Sequence, residues 1–307
     1  MKGVYNMVSI SEIYKKFLVE QKYRNNTDTT IKWYKENLEE FFRWLNSDDK
    51  ELLTLDNFKL YGVLLHDSRK KNGDKLSDAS VQNALRAVKT FYNYCIESGY
   101  IEDFSKYLKL PKAHYKVQEI LDNEEINSLL ACFPETKTGL RNKCMIVLML
   151  DSGLRRGELL RLNIGDIHLK YDKPSLIVKG KGGKQRIVPM GKTSTSLLGI
   201  YLRTFRKSAG LNEPLFINAK NLRCTDNLIK QVFKRLKKET DMPRLHPHLL
   251  RHTFATYYIA DGGDLETLRL ILGHANIQTT QRYLHMAATL ALQTSRHTSH
   301  LDKLFYQ

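Results

Sequence analysis

Apolar positions recur at helical spacing through the first hundred residues. Val8, Ile10, Ile13, Tyr14, Phe17 and Leu18 share one face of a predicted helix. Ile31, Tyr34, Leu38, Phe41, Phe42 and Leu45 do the same behind the cap candidates Thr27 and Asp28. A third helix is expected over Asp56–Arg69, stopping before Asn72-Gly73. A fourth follows the cap Ser77, with Val81, Ala84, Leu85, Val88, Phe91, Tyr92 and Cys95 inward and Gly99 as its stop. Four such helices make a small bundle, and their aromatic residues read as its core.

Periodicity fades over 101–118, around Leu110-Pro111-Lys112, so an interdomain linker is expected there. Asp122 then caps a predicted helix running to Phe133. The run Cys144–Leu150 is apolar on every side, which marks a buried helix. Three β candidates follow, Ile164–Leu169, Ser175–Lys179 and Gln185–Met190. The last two flank Gly180-Lys181-Gly182-Gly183, a turn suited to a hairpin tip. Helices are predicted again near 193–208, 225–239, 248–260, 265–272 and 277–285. The expected fold class is mainly α: a four-helix N-terminal domain, then a mostly helical α/β domain with a small antiparallel sheet. The expected boundaries are 1–105, a linker at 106–118, 119–286, and a tail at 287–307.

Composition narrows the class. The 307 residues allow two or three domains. No apolar run approaches the length of a membrane span. The first ten residues lack the layout of a secretory signal. The four cysteines (Cys95, Cys132, Cys144 and Cys224) form no CxxC pair, so free thiols in a reducing cytoplasm are expected. The net charge is +16, unevenly spread. Residues 1–113 hold 19 Lys and Arg against 16 Asp and Glu; residues 114–307 hold 30 against 17. A basic surplus confined to one part suggests a polyanionic partner, without saying which.

Four stretches carry candidate chemistry: SGLRRGEL around Arg155, GKG around Lys181, HLLRH from His248, and LGH ending at His274 with Tyr283 nine residues on. Alone, each has a plain reading as a solvated arginine, a turn, a structural histidine or a packed tyrosine. Lys181 is not in a Walker loop, because the GxxxxGK[ST] spacing is absent. His248 and Arg251 are three apart and share a helix face. With Arg155 they would offer convergent cationic donors to a phosphodiester, whose non-bridging oxygens gain charge in the transition state. Tyr283 can be a nucleophile if that positive field activates its phenol. Lys181 on a hairpin can protonate a leaving oxygen.

In this order and spacing the four stretches resemble the tyrosine recombinase (phage integrase) family, of the compact Xer-like type. The motifs cover about 120–285; the N-terminal domain resembles the family's core-binding domain in size and pattern. The resemblance implies a site-specific DNA recombinase that cuts and rejoins DNA through a 3′-phosphotyrosyl link and a Holliday junction, within a tetramer, needing neither metal nor ATP. It implies Tyr283 as nucleophile, and Arg155, Arg251 and His274 as phosphate ligands. It also implies His248 as an aid to proton transfer and Lys181 as general acid. Lys181 is preferred to Lys179 and Lys184 because glycines flank it. Glu158 reads equally as a residue orienting Arg155 and as an ordinary helix N-terminal acid.

The resemblance leaves open chromosome dimer or plasmid resolution against integration, excision or inversion of a mobile element, and a need for a second recombinase or accessory protein. The first stripe begins at Val8, so no arm-binding domain is expected ahead of it. The tail, with Leu290, Leu292, Leu301, Leu304 and Phe305, is expected to dock on a neighbouring subunit. Competing readings are a telomere resolvase or type IB topoisomerase-like strand transferase, and a DNA-binding protein without catalysis. A metalloenzyme using His246, His248, His252 or His274 is disfavoured, since no HExxH pattern is present.

Overall fold

The computed structural model describes residues 8–69, 73–112, 119–169, 173–180 and 183–294. They form two compact units, Met1–Val117 and Gln118–Gln307. In the first, α1 (Ile10–Tyr23), α2 (Asp28–Leu45), α3 (Leu55–Asp67) and α4 (Asp78–Glu97) build the expected bundle. Ser9, Thr27, Thr54 and Ser77 each accept a backbone N–H of the first turn, so a short hydroxyl sets every start. The stripes close on a core of Phe17, Phe41, Phe58, Tyr61, Phe91 and Tyr92. Phe17 meets Phe91 nearly edge-on, at 5.4 Å and 88°.

The beginning of the expected linker is part of this unit. Ser105–Tyr107 is a 3₁₀ turn, Leu108 is buried in the core, and Gln82 Nε2 donates to the Pro111 carbonyl. Residues 113–118 lie outside the described residues.

The second unit opens with α5 (Asn123–Ala131), started by Asp122 and Glu125 in a reciprocal capping box. Helix α6 (Lys137–Ser152) is buried on nearly all sides because it packs between α8 (Lys192–Phe205) and α10 (Pro247–Ala260). A short helix α7 (Arg156–Arg161) leads to the sheet, whose antiparallel order is β1 (Ile167–His168), β2 (Ser175–Lys179) and β3 (Gln185–Pro189). The strand expected at Ile164–Leu169 shrinks to two residues. Asp166 turns back to accept the Asn163 N–H, which closes a 3₁₀ turn over Ile164–Asp166. Helices α9 (Asp226–Glu239), α11 (Leu265–Leu272) and α12 (Gln278–Thr294) complete the unit. Helix α12 runs well past the 285 expected. Leu301, Leu304 and Phe305 lie outside the described residues. No helix among the described residues is long and apolar enough to cross a membrane.

Candidate active site

The site is built on backbone carbonyls at two helix ends. Helix α6 stops at Gly153 and α11 at Gly273, both left-handed, with φ of 60° and 63°. Their last turns point carbonyl oxygens at arginines. Arg251, on α10, is buried; it donates from Nη1 to the Gly153 carbonyl (2.7 Å) and from Nη2 to that of Leu272 (2.8 Å). Arg155, the N-cap of α7, donates from Nη1 to the same Leu272 carbonyl (3.1 Å) and to Glu158 Oε1 (3.1 Å). Burial, then the neighbouring Arg155 charge, holds the Arg251 guanidinium down to about 10, so it remains a cation at neutral pH.

Glu158 is the anionic counterpart. Its carboxylate is buried and accepts two hydrogen bonds from Arg186 on β3, at 2.9 and 2.8 Å. It also accepts the Arg155 N–H at 2.8 Å. Burial pulls this carboxyl up, but the Arg186 hydrogen bonds and charge, then those of Arg155, override it and bring it down to about 2. Arg186 Nε donates to the Ile271 carbonyl at 2.7 Å, which ties strand β3 to the end of α11.

His274 follows that end. Arg251 Nη2 lies 2.9 Å from its Nε2, and its Nδ1 lies 2.9 Å from the hydroxyl of buried Thr280. A guanidinium only donates, so Nε2 accepts and Nδ1–H donates to Thr280. Burial and the charges of Arg251 and Arg155 push this imidazole down to about 4, so it is neutral. Both ring nitrogens are engaged, and His274 therefore acts here on Arg251.

Tyr283, on α12, is almost wholly buried, and its ring lies parallel to that of His274, with centroids 6.5 Å apart. Burial raises the phenol's pKa, while the charge of Arg282, the charge and hydrogen bond of Arg251, and the charge of Arg155 pull it back. Tyr283 Oη is 2.9 Å from Nδ1 of His252. His248 sits one helical turn before His252, with ring centroids 6.5 Å apart. Lys181 lies outside the described residues; the hairpin that carries it is closed by the Gly180 N–H donating to the Lys184 carbonyl at 2.8 Å.

The structure thus brings Arg155, Arg251, His274 and Tyr283 together, with His248 alongside. Two roles are missed by the sequence reading, that of Arg186 and that of His252, which is weighed there only as a metal ligand. His252 has a signal, four residues after His248 and so on the same helix face. Arg186 has none, because its role depends on a buried carboxylate from another segment. Among the described residues no three His, Cys, Asp or Glu side chains gather as a metal site.

Comparison with known proteins points to one family. Residues 119–289 match the phage integrase family, and residues 12–99 match the phage integrase N-terminal SAM-like domain. Tyrosine recombinase XerD of Oceanobacillus iheyensis is 32% identical over 269 residues, covering 86% of this chain and 89% of that protein. Tyrosine recombinase XerC of Bacillus pumilus is 30% identical over 294 residues, 92% of this chain and 93% of that one. The crystal structure of XerH site-specific recombinase bound to a palindromic difH substrate superposes with a TM-score of 0.70 at 24% identity, over 94% of this chain and 84% of that one, a likeness of fold. Helical bundle, small sheet and an arginine-rich site facing a tyrosine define a DNA strand-transfer enzyme. The chain belongs to the phage integrase family, the tyrosine site-specific recombinases.

Proposed function

We propose that this recombinase cuts and rejoins duplex DNA through Tyr283. Its Oη attacks the scissile phosphorus while Arg155 and Arg251 hold the non-bridging oxygens. The Oη–P bond forms and the P–O5′ bond breaks; the 5′ oxygen takes a proton from Lys181, and the phenolic proton passes to His248. The resulting 3′-phosphotyrosyl bond conserves the energy of the diester, so a 5′-hydroxyl from a partner strand reverses the step. Three of the five Arg251 N–H donors are committed to Gly153, Leu272 and His274. The others serve Tyr283, with which Arg251 also hydrogen-bonds, and phosphate, and Arg155 keeps Nε and Nη2. The observation that carries this reading is the Leu272 carbonyl, which gathers both arginines beside a nearly buried tyrosine.

Residues 1–105 are proposed as the core-binding domain and 119–286 as the catalytic domain, acting on a specific site as a tetramer that passes through a Holliday junction. Alignment with XerD and XerC over nearly the whole chain favours chromosome dimer or plasmid resolution as the role.

The test uses labelled, nicked duplexes tiled across the chain's own genetic neighbourhood, in EDTA, resolved on denaturing gels. Wild type is expected to leave a covalent adduct, and Tyr283→Phe to bind equally and leave none. An adduct that survives Tyr283→Phe would overturn the assignment. Binding without an adduct on a functional site would return the protein to a purely architectural role.

A further inference from the structure

His252 touches the nucleophilic oxygen, which Arg251 also reaches with a hydrogen bond. Its Nδ1 is 2.9 Å from Tyr283 Oη, and its Nε2 is 3.3 Å from Nη2 of Arg282. A guanidinium has donors and no acceptor, so Nε2 must present its lone pair to Arg282. A neutral imidazole carries one ring proton, which is then on Nδ1 and directed at Oη. Arg282 also covers the Tyr283 ring, its guanidinium carbon 5.6 Å from the centroid.

We propose that His252 is a catalytic residue: its Nδ1–H is a fixed hydrogen-bond donor to Tyr283 Oη, with Arg282 holding the tautomer, and it stabilises negative charge on that oxygen in both directions of strand transfer. The proposal rests on Tyr283 being the nucleophile. As Oη bonds to phosphorus it gives up its own proton, and His252 keeps the Nδ1 proton throughout. In the return step the 5′-oxygen attacks, the P–Oη bond breaks, and the departing phenolate oxygen is met by the same N–H. A preorganised donor at an atom where charge develops lowers the barrier without reorganisation.

The surroundings favour a neutral donor over a proton acceptor. The groups facing the ring are His246, His248 and Arg251 from its own helix and Arg282 and Tyr283 from α12. Burial and then the Arg282 charge keep the imidazole down to about 3. A His252 acting as base at Nδ1 would have to aim an Nε2–H at a guanidinium.

Two experiments test this. The first needs no DNA: in ¹⁵N-histidine NMR, with the His252 signals identified by their loss in His252→Asn, the ring is expected as the neutral Nδ1–H tautomer, still neutral at about pH 5. An Nε2–H tautomer, or a cationic ring at that pH, overturns the proposal. The second is single-turnover adduct formation on the nicked duplex that captures wild type. His252→Ala is expected to slow it roughly 100-fold with DNA binding unchanged. His252→Asn, whose amide N–H replaces Nδ1–H, is expected to recover most of that loss. An Asn variant that melts and binds like wild type yet is as slow as His252→Ala overturns the donor role, and full speed in His252→Ala overturns any role. Failure of the Tyr283 assignment itself would show separately, as an adduct persisting in Tyr283→Phe.

Discussion

Arg155 and Arg251 donate to one oxygen, the carbonyl of Leu272, at 3.1 and 2.8 Å. Two cations are thereby held side by side at the C-terminal end of α11, where the helix dipole is negative. Their convergence depends on the backbone of two helix ends more than on any acidic side chain.

The Gly153 end can be tested directly. Its carbonyl accepts from Arg251, its φ is positive, and an added Cβ would lie 2.5 Å from Phe254 Cδ1 and 2.8 Å from Leu272 Cδ2. Gly153→Ala is expected to cost about 2 kcal/mol in urea unfolding, from backbone strain and overpacking. Adduct formation should slow more than DNA binding weakens.

Removing the carboxylate of Glu158 leaves Arg186 without its anion and Arg155 without its tether. Glu158→Ala is expected to lose about 3–5 kcal/mol in chemical denaturation, as for a broken buried ion pair. Arg155 should then grip phosphate less well, and the loss of cleavage rate should exceed that of a surface Glu→Ala control. The acid limb carries the same signature. A carboxyl held at about 2 stabilises the fold fully above its unfolded value of 4.5, and that contribution disappears as pH falls from 4.5 towards 2.

His252 and His274 act in a higher window. Both are held neutral in the folded protein, down to about 3 and about 4, whereas an unfolded histidine protonates near 6.5. The unfolded chain therefore binds more protons below 6.5, and stability should fall as pH drops from 6.5 towards 4. Melting temperature followed over that range should decline, and less steeply in His252→Asn or His274→Asn. An unchanged slope in both variants would contradict the neutral assignment.

Thr280 accepts from His274 Nδ1 and is fully buried. Thr280→Val leaves that N–H unpaired, at a cost of about 1–3 kcal/mol, and loosens the imidazole that orients Arg251. Thr280→Ser keeps the acceptor and should restore cleavage, measured as single-turnover adduct formation. Equal rates in Val and Ser would show that the His274 orientation does not depend on this bond.

Much of the fold was legible. Thr27, Ser77 and Asp122 cap helices as their chemistry suggests, and Ser175–Lys179 pairs as a strand over its predicted span. The all-apolar run Cys144–Leu150 lies in the buried α6. Ile164–Leu169 misled because its apolar residues suit a strand, while Asp166 captures a nearby backbone N–H and bends the chain first. Helix α12 continues past the 285 expected because Ala287, Ala288, Leu290 and Ala291 are good helix formers, which extend it where the apolar period fades.

At the site, order and spacing along the chain were enough to single out Arg155, His248, Arg251, His274 and Tyr283, because those residues lie in recognisable local motifs. The partnerships were not legible. That Glu158 pairs with Arg186 as well as Arg155, that His274 spends both nitrogens on Arg251 and Thr280, and that His252 meets Tyr283 Oη all follow from packing α6, α10, α11, α12 and β3 together. Sequence determines local structure through caps, periodicity and turn residues, which act over a few positions. Tertiary structure decides which donor meets which acceptor, because a hydrogen bond depends on ångström-scale placement of atoms brought from distant parts of the chain.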